Sequence, residues 1–216
     1  MQKNKAIIFD IDDTLVQTIQ CKWSALKKTA LKCYNRDISD EQIKAYLGKP
    51  FKEMIEGVFS YADSFDKIKQ YYFDVSKGFP MKAHVGALDT IHNLKEKYLI
   101  GALTASSRLV ILNDLKDAGF NLNDFFFIQT SEDTIFHKPA PQVFNPLLKK
   151  LQLINIKKEN ILFIGDGILD YEATKKAAIP FIAITTGLNT LDDFKINGVR
   201  TKCIINKLSN LQSMLL

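Results

Sequence analysis

The first apolar run of the chain, Ala6-Ile7-Ile8-Phe9 behind Lys5, does not alternate with polar residues and is rich in β-forming side chains. A run of that texture reads as a short strand covered on both faces, as in a parallel sheet. The pattern then changes. From about residue 16 to residue 80, apolar positions recur at helical spacing. One set is Trp23, Leu26, Ala30, Leu31 and Tyr34; the next is Ile43, Tyr46 and Leu47. Phe51, Met54, Ile55, Val58 and Phe59 form a third face, and Ile68, Tyr72 and Val75 a fourth. Ser39-Asp40-Glu41-Gln42 has the form of a capping box ahead of the second helix. Asp63 or Ser64 is placed to start the last helix, and Gly78-Phe79-Pro80 to close it.

Beyond residue 84 short apolar runs alternate with helical patterns. Strands are predicted over Leu99–Leu103, Phe125–Gln129, Ile161–Ile164, Phe181–Thr185 and Cys203–Ile205. Helices are predicted over Ala87–Lys97, Leu109–Ala118, Gln142–Leu151, Tyr171–Ala178 and Leu191–Ile196. Strand and helix in turn, joined by short loops, imply a parallel sheet with right-handed crossovers, and the first strand must join it. The predicted fold class is α/β: a Rossmann-like parallel sheet core, residues 1–15 and 81–216, with helices on both faces. An all-helical domain, residues 16–80, is inserted directly after the first strand.

Composition narrows the function classes. The chain has 216 residues, 46% hydrophobic and 25% charged, enough to bury a core. The net charge of +5 comes from scattered lysines, with only Arg36, Arg108 and Arg200 beside them. No run of five like charges is present, so a nucleic-acid partner is not expected; mild attraction for small anions is. Cys21, Cys33 and Cys203 have neither zinc nor disulfide-framework spacing. No apolar run approaches the ~20 residues of a membrane span, and the amino terminus lacks a secretory pattern. A cytoplasmic protein, monomer or homodimer, is expected.

The chemistry gathers at the ends of the predicted strands. Asp10 and Asp12 follow the first strand two residues apart, so in extended backbone their side chains point the same way. Strand carboxyl ends are where open α/β sheets place ligands. Two carboxylates held close need a cation or a shared proton, which suggests a Mg²⁺ site, an acid/base pair, or both. The plainer reading is a helix cap or polar turn. Thr104 ends the strand at Leu103 and suits a phosphoryl oxygen; Ser106 or Ser107 reads as an ordinary cap of the next helix. Lys138 stands between His137 and Pro139-Ala140-Pro141, a stiff loop that would aim its ammonium. Alone it would pass as a solvated lysine. Asp166 lies between Gly165 and Gly167 after the fourth strand, and Asp170 falls four residues later at a helix start. Both carboxylates are placed to share one metal with Asp10. Taken singly they read as a turn residue and a helix-terminal charge. Those plain readings do not explain four strand ends in one sheet that each carry a phosphate- or metal-competent side chain.

Together these residues resemble the haloacid dehalogenase-like hydrolase superfamily, mostly phosphatases. Its four motifs match Asp10-Ile11-Asp12-Asp13-Thr14, Thr104, Lys138 and Gly165-Asp166-Gly167-Ile168-Leu169-Asp170, spanning nearly the whole chain. The helical insert resembles the family's cap domain, close to phosphoglycolate phosphatase-like members, and Gly48-Lys49-Pro50 lies where such caps often face substrate. The resemblance implies that Asp10 attacks phosphorus to form an aspartyl-phosphate. It implies that Asp12 protonates the leaving oxygen and then activates water, while Thr104 and Lys138 hold phosphoryl oxygens. It places Mg²⁺ between Asp10, the backbone carbonyl of Asp12 and Asp166, with Asp170 direct or through water. Thr104, Ala105, Lys138 and Lys49 are the implied substrate-binding residues. Thr14 is expected to steady the loop, and Asp13 to be an oriented loop carboxylate. Ala105 replaces a common Asn, Gly167 a common Ser, Thr or Asn, and His137 a common Gly, which bears on substrate contacts more than on chemistry. His84 and His92 are read as structural.

The leading expectation is a Mg²⁺-dependent phosphatase acting on a small phosphorylated metabolite. A phosphomutase of the β-phosphoglucomutase type would share the nucleophile, but no Arg-rich sugar-binding signature lies between Gly48 and Gly57. A phosphonate hydrolase would need a Schiff-base lysine in the cap, for which Lys49 or Lys52 are poor matches. A dehalogenase would need neither Mg²⁺ nor the second Asp. A non-catalytic binding protein on the same scaffold would have lost the nucleophile or the metal aspartates, all of which are present.

Overall fold

The computed structural model describes residues 3–46 and 51–215. The backbone divides into two compact units, Met1–Gln17 with Met81–Leu216, and Thr18–Pro80.

The first unit is an α/β unit around one fully parallel sheet. Its strands are β1 (Ala6–Phe9), β2 (Leu99–Leu103), β3 (Phe127–Gln129), β4 (Ile161–Gly165), β5 (Phe181–Ile184) and β6 (Ile204–Ile205), in the order β3-β2-β1-β4-β5-β6. β1 therefore lies at the centre, between β2 on one side and β4 on the other, where the chain reverses its direction of travel across the sheet. That switch point opens a crevice at the strands' carboxyl ends. Phe9 is in register with Ala102 on one side and Ile164 on the other. The residues that follow, from Asp10 onward, thus emerge level with the ends of β2 and β4.

The apolar run of β1 serves two cores, as non-alternating strands do. Ile7 and Phe9 pack on one face with Ile91, Ile111, Leu115 and Leu211. Ala6 and Ile8 pack on the other with Leu147, Leu151, Ala173 and Ala177. Burying each such aliphatic or aromatic side chain contributes about 1.5–3 kcal/mol. The Thr18–Pro80 unit holds α1 (Thr18–Tyr34), α2 (Asp40–Lys44), α3 (Phe51–Val58) and α4 (Phe65–Ser76). The first unit carries α5 (Ala87–Leu94), α6 (Arg108–Asp117), α7 (Asn145–Gln152), α8 (Ile168–Ala177), α9 (Leu191–Ile196) and α10 (Leu211–Leu215). Two short segments depart from expectation. Pro141–Phe144 is a 3-10 turn, and the helix expected from Gln142 begins only at Asn145. Phe125 and Phe126 precede β3 rather than join it, and Phe126 donates its N–H to Ile100 O.

The helical unit has its own core of Leu26, Ile43, Ile55, Ile68 and Tyr72. Ser39 caps α2 by accepting the N–H of Gln42 at 3.2 Å. The other half of the expected capping box does not form. Gln42 Nε2 instead donates to Val58 O at 2.7 Å and ties α2 to the end of α3. That bond satisfies one of the carbonyls left without an intrahelical partner at the carboxyl end of α3.

Candidate active site

Asp10 continues the β1–β4 ladder by one rung, its N–H donating to Ile164 O at 2.8 Å. The chain then turns sharply. Asp13 adopts φ 57°, and its N–H donates to Val16 O at 2.7 Å. Asp13 is buried, and its carbonyl accepts the Thr186 hydroxyl at 2.6 Å, so it shapes the loop. Thr14 does more than steady that loop: its hydroxyl donates to Asp166 Oδ1 at 2.9 Å and ties the first motif to the fourth.

Lys138 is the centre of the charge arrangement. Its Nζ lies 2.5 Å from Asp10 Oδ1 and 2.5 Å from Asp170 Oδ1. On the carboxyl-terminal side of the loop that carries it, Gln129 Nε2 donates to Val143 O at 2.7 Å. Lys138–Pro139 is a cis peptide. Asp10, Asp166 and Asp170 offer carboxylate oxygens all within 4.8 Å of one another. Asp170 also meets its plainer reading, since its Oδ2 accepts the N–H of Gly167 at the start of α8. Glycines make room for this cluster. A Cβ on Gly165 would lie 2.4 Å from Asp170 Oδ2, and one on Gly187 would lie 1.8 Å from Asp166 Oδ2.

The electrostatics follow from crowding like charges in a buried place. Burial holds the Asp10 carboxyl well above the usual carboxylate range; Lys138 opposes the rise, and Asp170, Asp166 and Asp12 add to it. Burial and then Asp170 push Asp166 up to about 8, against the hydrogen bond from Thr14. Burial works against the Lys138 charge, but Asp10 and Asp170 outweigh it and carry its pKa above that of an ordinary lysine. One ammonium among three gathered carboxylates leaves negative charge uncompensated. An oxygen-only donor set of that kind fits a hard divalent cation such as Mg²⁺.

Asp12 belongs to a different environment. Its Oδ2 accepts the Thr104 hydroxyl at 2.9 Å and the Ser106 hydroxyl at 2.8 Å. The Thr104 hydroxyl in turn accepts the N–H of Ser106 at 2.9 Å. The side chain of Asp12 is thus turned toward the end of β2 and away from the acidic group; any share in a metal would fall to its backbone carbonyl. Ser106 is the residue that sequence reasoning passed over. It does not cap α6. Ser107 stands at the cap position without a side-chain bond there, and Glu132 accepts the N–H of Arg108 instead. Thr186 and Gly187, which brace Asp13 and make room for Asp166, also went unremarked; no local pattern marks them.

Ala105 is exposed and lines a small cavity with Thr104, Phe136, His137 and Lys138. His137 is exposed, and its carbonyl accepts the N–H of Ala140. Burial lowers the His84 imidazole below its ordinary value, and its backbone N–H donates to Leu15 O. Lys49 lies outside the described residues. A larger hollow of about 350 Å³ at the opposite, amino ends of β1 and β4 is lined by Lys5, Tyr98 and Glu159 among apolar residues. It contains no convergent acidic group, so chemistry rather than size selects the site.

The haloacid dehalogenase-like hydrolase family profile matches residues 7–184. Pyrophosphatase PpaX of Bacillus mycoides is 25% identical over 231 residues, covering 99% of this chain and 97% of its own. A Thermotoga maritima protein provisionally named a β-phosphoglucomutase superposes with a TM-score of 0.83 at 20% identity, covering 98% of this chain and 100% of its own. A Haemophilus somnus protein provisionally named a phosphoglycolate phosphatase superposes with a TM-score of 0.77 at 19% identity, covering 100% of this chain and 99% of its own. At these identities the two solved structures establish a shared fold.

Proposed function

The chain belongs to the haloacid dehalogenase-like hydrolases, and on that premise we propose that it hydrolyses a small phosphomonoester through an aspartyl-phosphate on Asp10. The observation that carries this reading is the division of two neighbouring carboxylates between two environments. Asp10 lies against an ammonium in an acidic, metal-competent group, while Asp12 is held by hydroxyls. Two neighbouring carboxyls held in different environments can take different parts in one reaction.

In this mechanism an Asp10 carboxylate oxygen forms a bond to phosphorus as the bond from phosphorus to the substrate oxygen breaks. Asp12 delivers its proton to the departing oxygen, and the alcohol leaves. Asp12, now a carboxylate, takes a proton from water. The water oxygen bonds to phosphorus, the bond to Asp10 breaks, and inorganic phosphate leaves. Lys138 and the Thr104 hydroxyl donate to phosphoryl oxygens throughout. Asp10, Asp166, Asp170 and the carbonyl of Asp12 would hold Mg²⁺, which when bound neutralises charge on the transferring group. The Thr18–Pro80 unit is proposed as the cap that sets substrate choice, with Lys49 and Ala105 as candidate contacts. Three free cysteines suit a reducing, cytoplasmic setting. Among the described residues no helix is long and apolar enough to cross a membrane.

The test is phosphate release from a panel of small phosphomonoesters and inorganic pyrophosphate, with Mg²⁺ or with EDTA. Mg²⁺-dependent release that falls by about 10³-fold or more in Asp10→Asn is expected. Full activity in that variant would sink the mechanism. The likeness to a provisional β-phosphoglucomutase keeps one second reading alive: isomerisation of a sugar phosphate without release of phosphate would establish it.

A further inference from the structure

We propose that Ser106 is a positioning residue for proton transfer, holding the Asp12 carboxyl in place when a substrate oxygen takes over the hydroxyl proton of Thr104. The inference rests on the assignment of Asp12 as the acid/base. Two hydroxyls, Thr104 and Ser106, converge on the same oxygen, Asp12 Oδ2. They do not have equal freedom to stay there.

A threonine hydroxyl has one proton to give. In the structure the Thr104 proton goes to Asp12, while its oxygen accepts the N–H of Ser106. The same proton is the one Thr104 would offer a phosphoryl oxygen. Binding substrate through Thr104 therefore costs Asp12 that bond. In the proposed mechanism Ser106 donates to no phosphoryl oxygen. Its own backbone is fixed at both ends: its N–H is on Thr104 Oγ1, and its carbonyl accepts the N–H of Ser131 at 3.1 Å. Ser131 belongs to the turn after β3, whose neighbours Glu132 and Asp133 grip Arg108. A hydroxyl anchored in this way keeps its aim while the loop around Thr104 takes up substrate.

The geometry also says which oxygen carries the proton. An oxygen that accepts two hydroxyl donors is a poor site for a proton, so the transferable proton belongs on Oδ1 of Asp12. Ser106 thus fixes the carboxyl rotation that presents Oδ1 to the departing oxygen. Alignment of this kind is required for general acid catalysis, and the bond from Ser106 strengthens as the carboxyl gives up its proton and becomes charged.

The consequence is a dependence on the leaving group. A departing phenoxide needs the proton more than a departing p-nitrophenoxide, which is stable as the anion. Phenyl phosphate and p-nitrophenyl phosphate are nearly the same size, so the pair isolates proton delivery from fit. The parameter to compare is kcat/KM, which reports the steps up to loss of the leaving group and is blind to hydrolysis of the aspartyl-phosphate. In Ser106→Ala, kcat/KM for phenyl phosphate is expected to fall by about tenfold and that for p-nitrophenyl phosphate by less than about twofold. Ser106→Thr, which keeps the hydroxyl, is expected to recover phenyl phosphate turnover. Asp12→Asn provides the reference, with a larger loss in the same direction.

Equal losses on both esters in Ser106→Ala, or no loss on either, would overturn the role of Ser106 while leaving the reading of Asp10 intact. Activity that survives Asp10→Asn, or wild-type protein that hydrolyses neither ester, would remove the underlying reading and the inference with it. Far-UV circular dichroism separates these outcomes from misfolding. If Ser106→Ala does not fold, Ser106→Cys, which keeps the size but donates weakly, is expected to show the same split between the two esters, and its absence there overturns the role.

Discussion

Lys138 shows how much one residue is asked to do. Its ammonium lies 2.5 Å from both Asp10 and Asp170, and its side chain is only 11% exposed. Removing one partner of a buried ion pair typically costs about 3–5 kcal/mol, because the remaining charge is left uncompensated in a poor solvent for it. Lys138→Met is therefore expected to lower stability by that order when urea unfolding is followed in EDTA. Added Mg²⁺ is expected to restore part of the loss, since a cation among Asp10, Asp166 and Asp170 replaces some of the missing positive charge. No restoration by Mg²⁺ would argue against the acidic group as its site. The lysine itself was visible in the Pro-bounded loop. That it bridges two carboxylates was not, because Asp10 and Asp170 lie far from it along the chain.

At the scale of the element, the loop after β5 decides how tightly the acidic group closes. Thr186 donates to Asp13 O, and Gly187 leaves the space that Asp166 Oδ2 occupies. A Cβ there would lie 1.8 Å from that oxygen, far inside van der Waals contact, so the carboxylate must move. Gly187→Ala is expected to weaken Mg²⁺ affinity by about 10- to 100-fold, the range seen when supports of metal ligands are lost. Isothermal titration calorimetry reads this directly, and an unchanged affinity would show that the loop is not part of the site. The β5 strand itself was legible as an apolar run. Its loop was not, because Thr-Thr-Gly is an ordinary exit from a strand and acquires meaning only beside Asp166. The same holds for Ser106, whose partner Asp12 is 94 residues away. Locally Ser106 looks like a cap, and hydroxyls at helix starts usually are.

Over the whole molecule, the gathered carboxylates tie stability to pH and to metal. Asp166 is raised from 3.8 to about 8, and Asp10 is raised as well, chiefly by burial. A carboxyl with a higher pKa in the fold than in the unfolded chain holds its proton more tightly when folded. Its contribution is greatest at low pH and is lost as pH climbs from about 4 toward about 8. Metal-free protein is therefore expected to show a falling Tm between pH 5 and pH 8, the window set by the raised Asp166 carboxyl. The carboxyls with lowered values, such as Asp40, Asp63 and Asp193, are on the surface, where solvent screens their opposite trend. Mg²⁺ binds the ionised group, so saturating Mg²⁺ is expected to flatten the fall, adding about 2.7 kcal/mol at a hundredfold excess over Kd. Thermal melts across that pH range, with Mg²⁺ and with EDTA, check both statements. A Tm rising steadily with pH in EDTA would contradict them.

What the sequence determined by itself was the architecture and the inventory of chemistry. Six short apolar runs and the helical patterns between them specify a parallel sheet, because a strand covered on both faces has no polar face to alternate. Order along the chain then places Asp10, Thr104 and Asp166 at strand carboxyl ends. The tertiary structure decided which of those groups face one another. It set Lys138 between Asp10 and Asp170, turned Asp12 toward Thr104 and Ser106, and brought Gly187 against Asp166. The physical reason is one of range. Periodicity and strand propensity act over a few neighbouring residues and leave their mark in local pattern. Charge pairing and close packing act through space, between residues that only the assembled sheet makes neighbours.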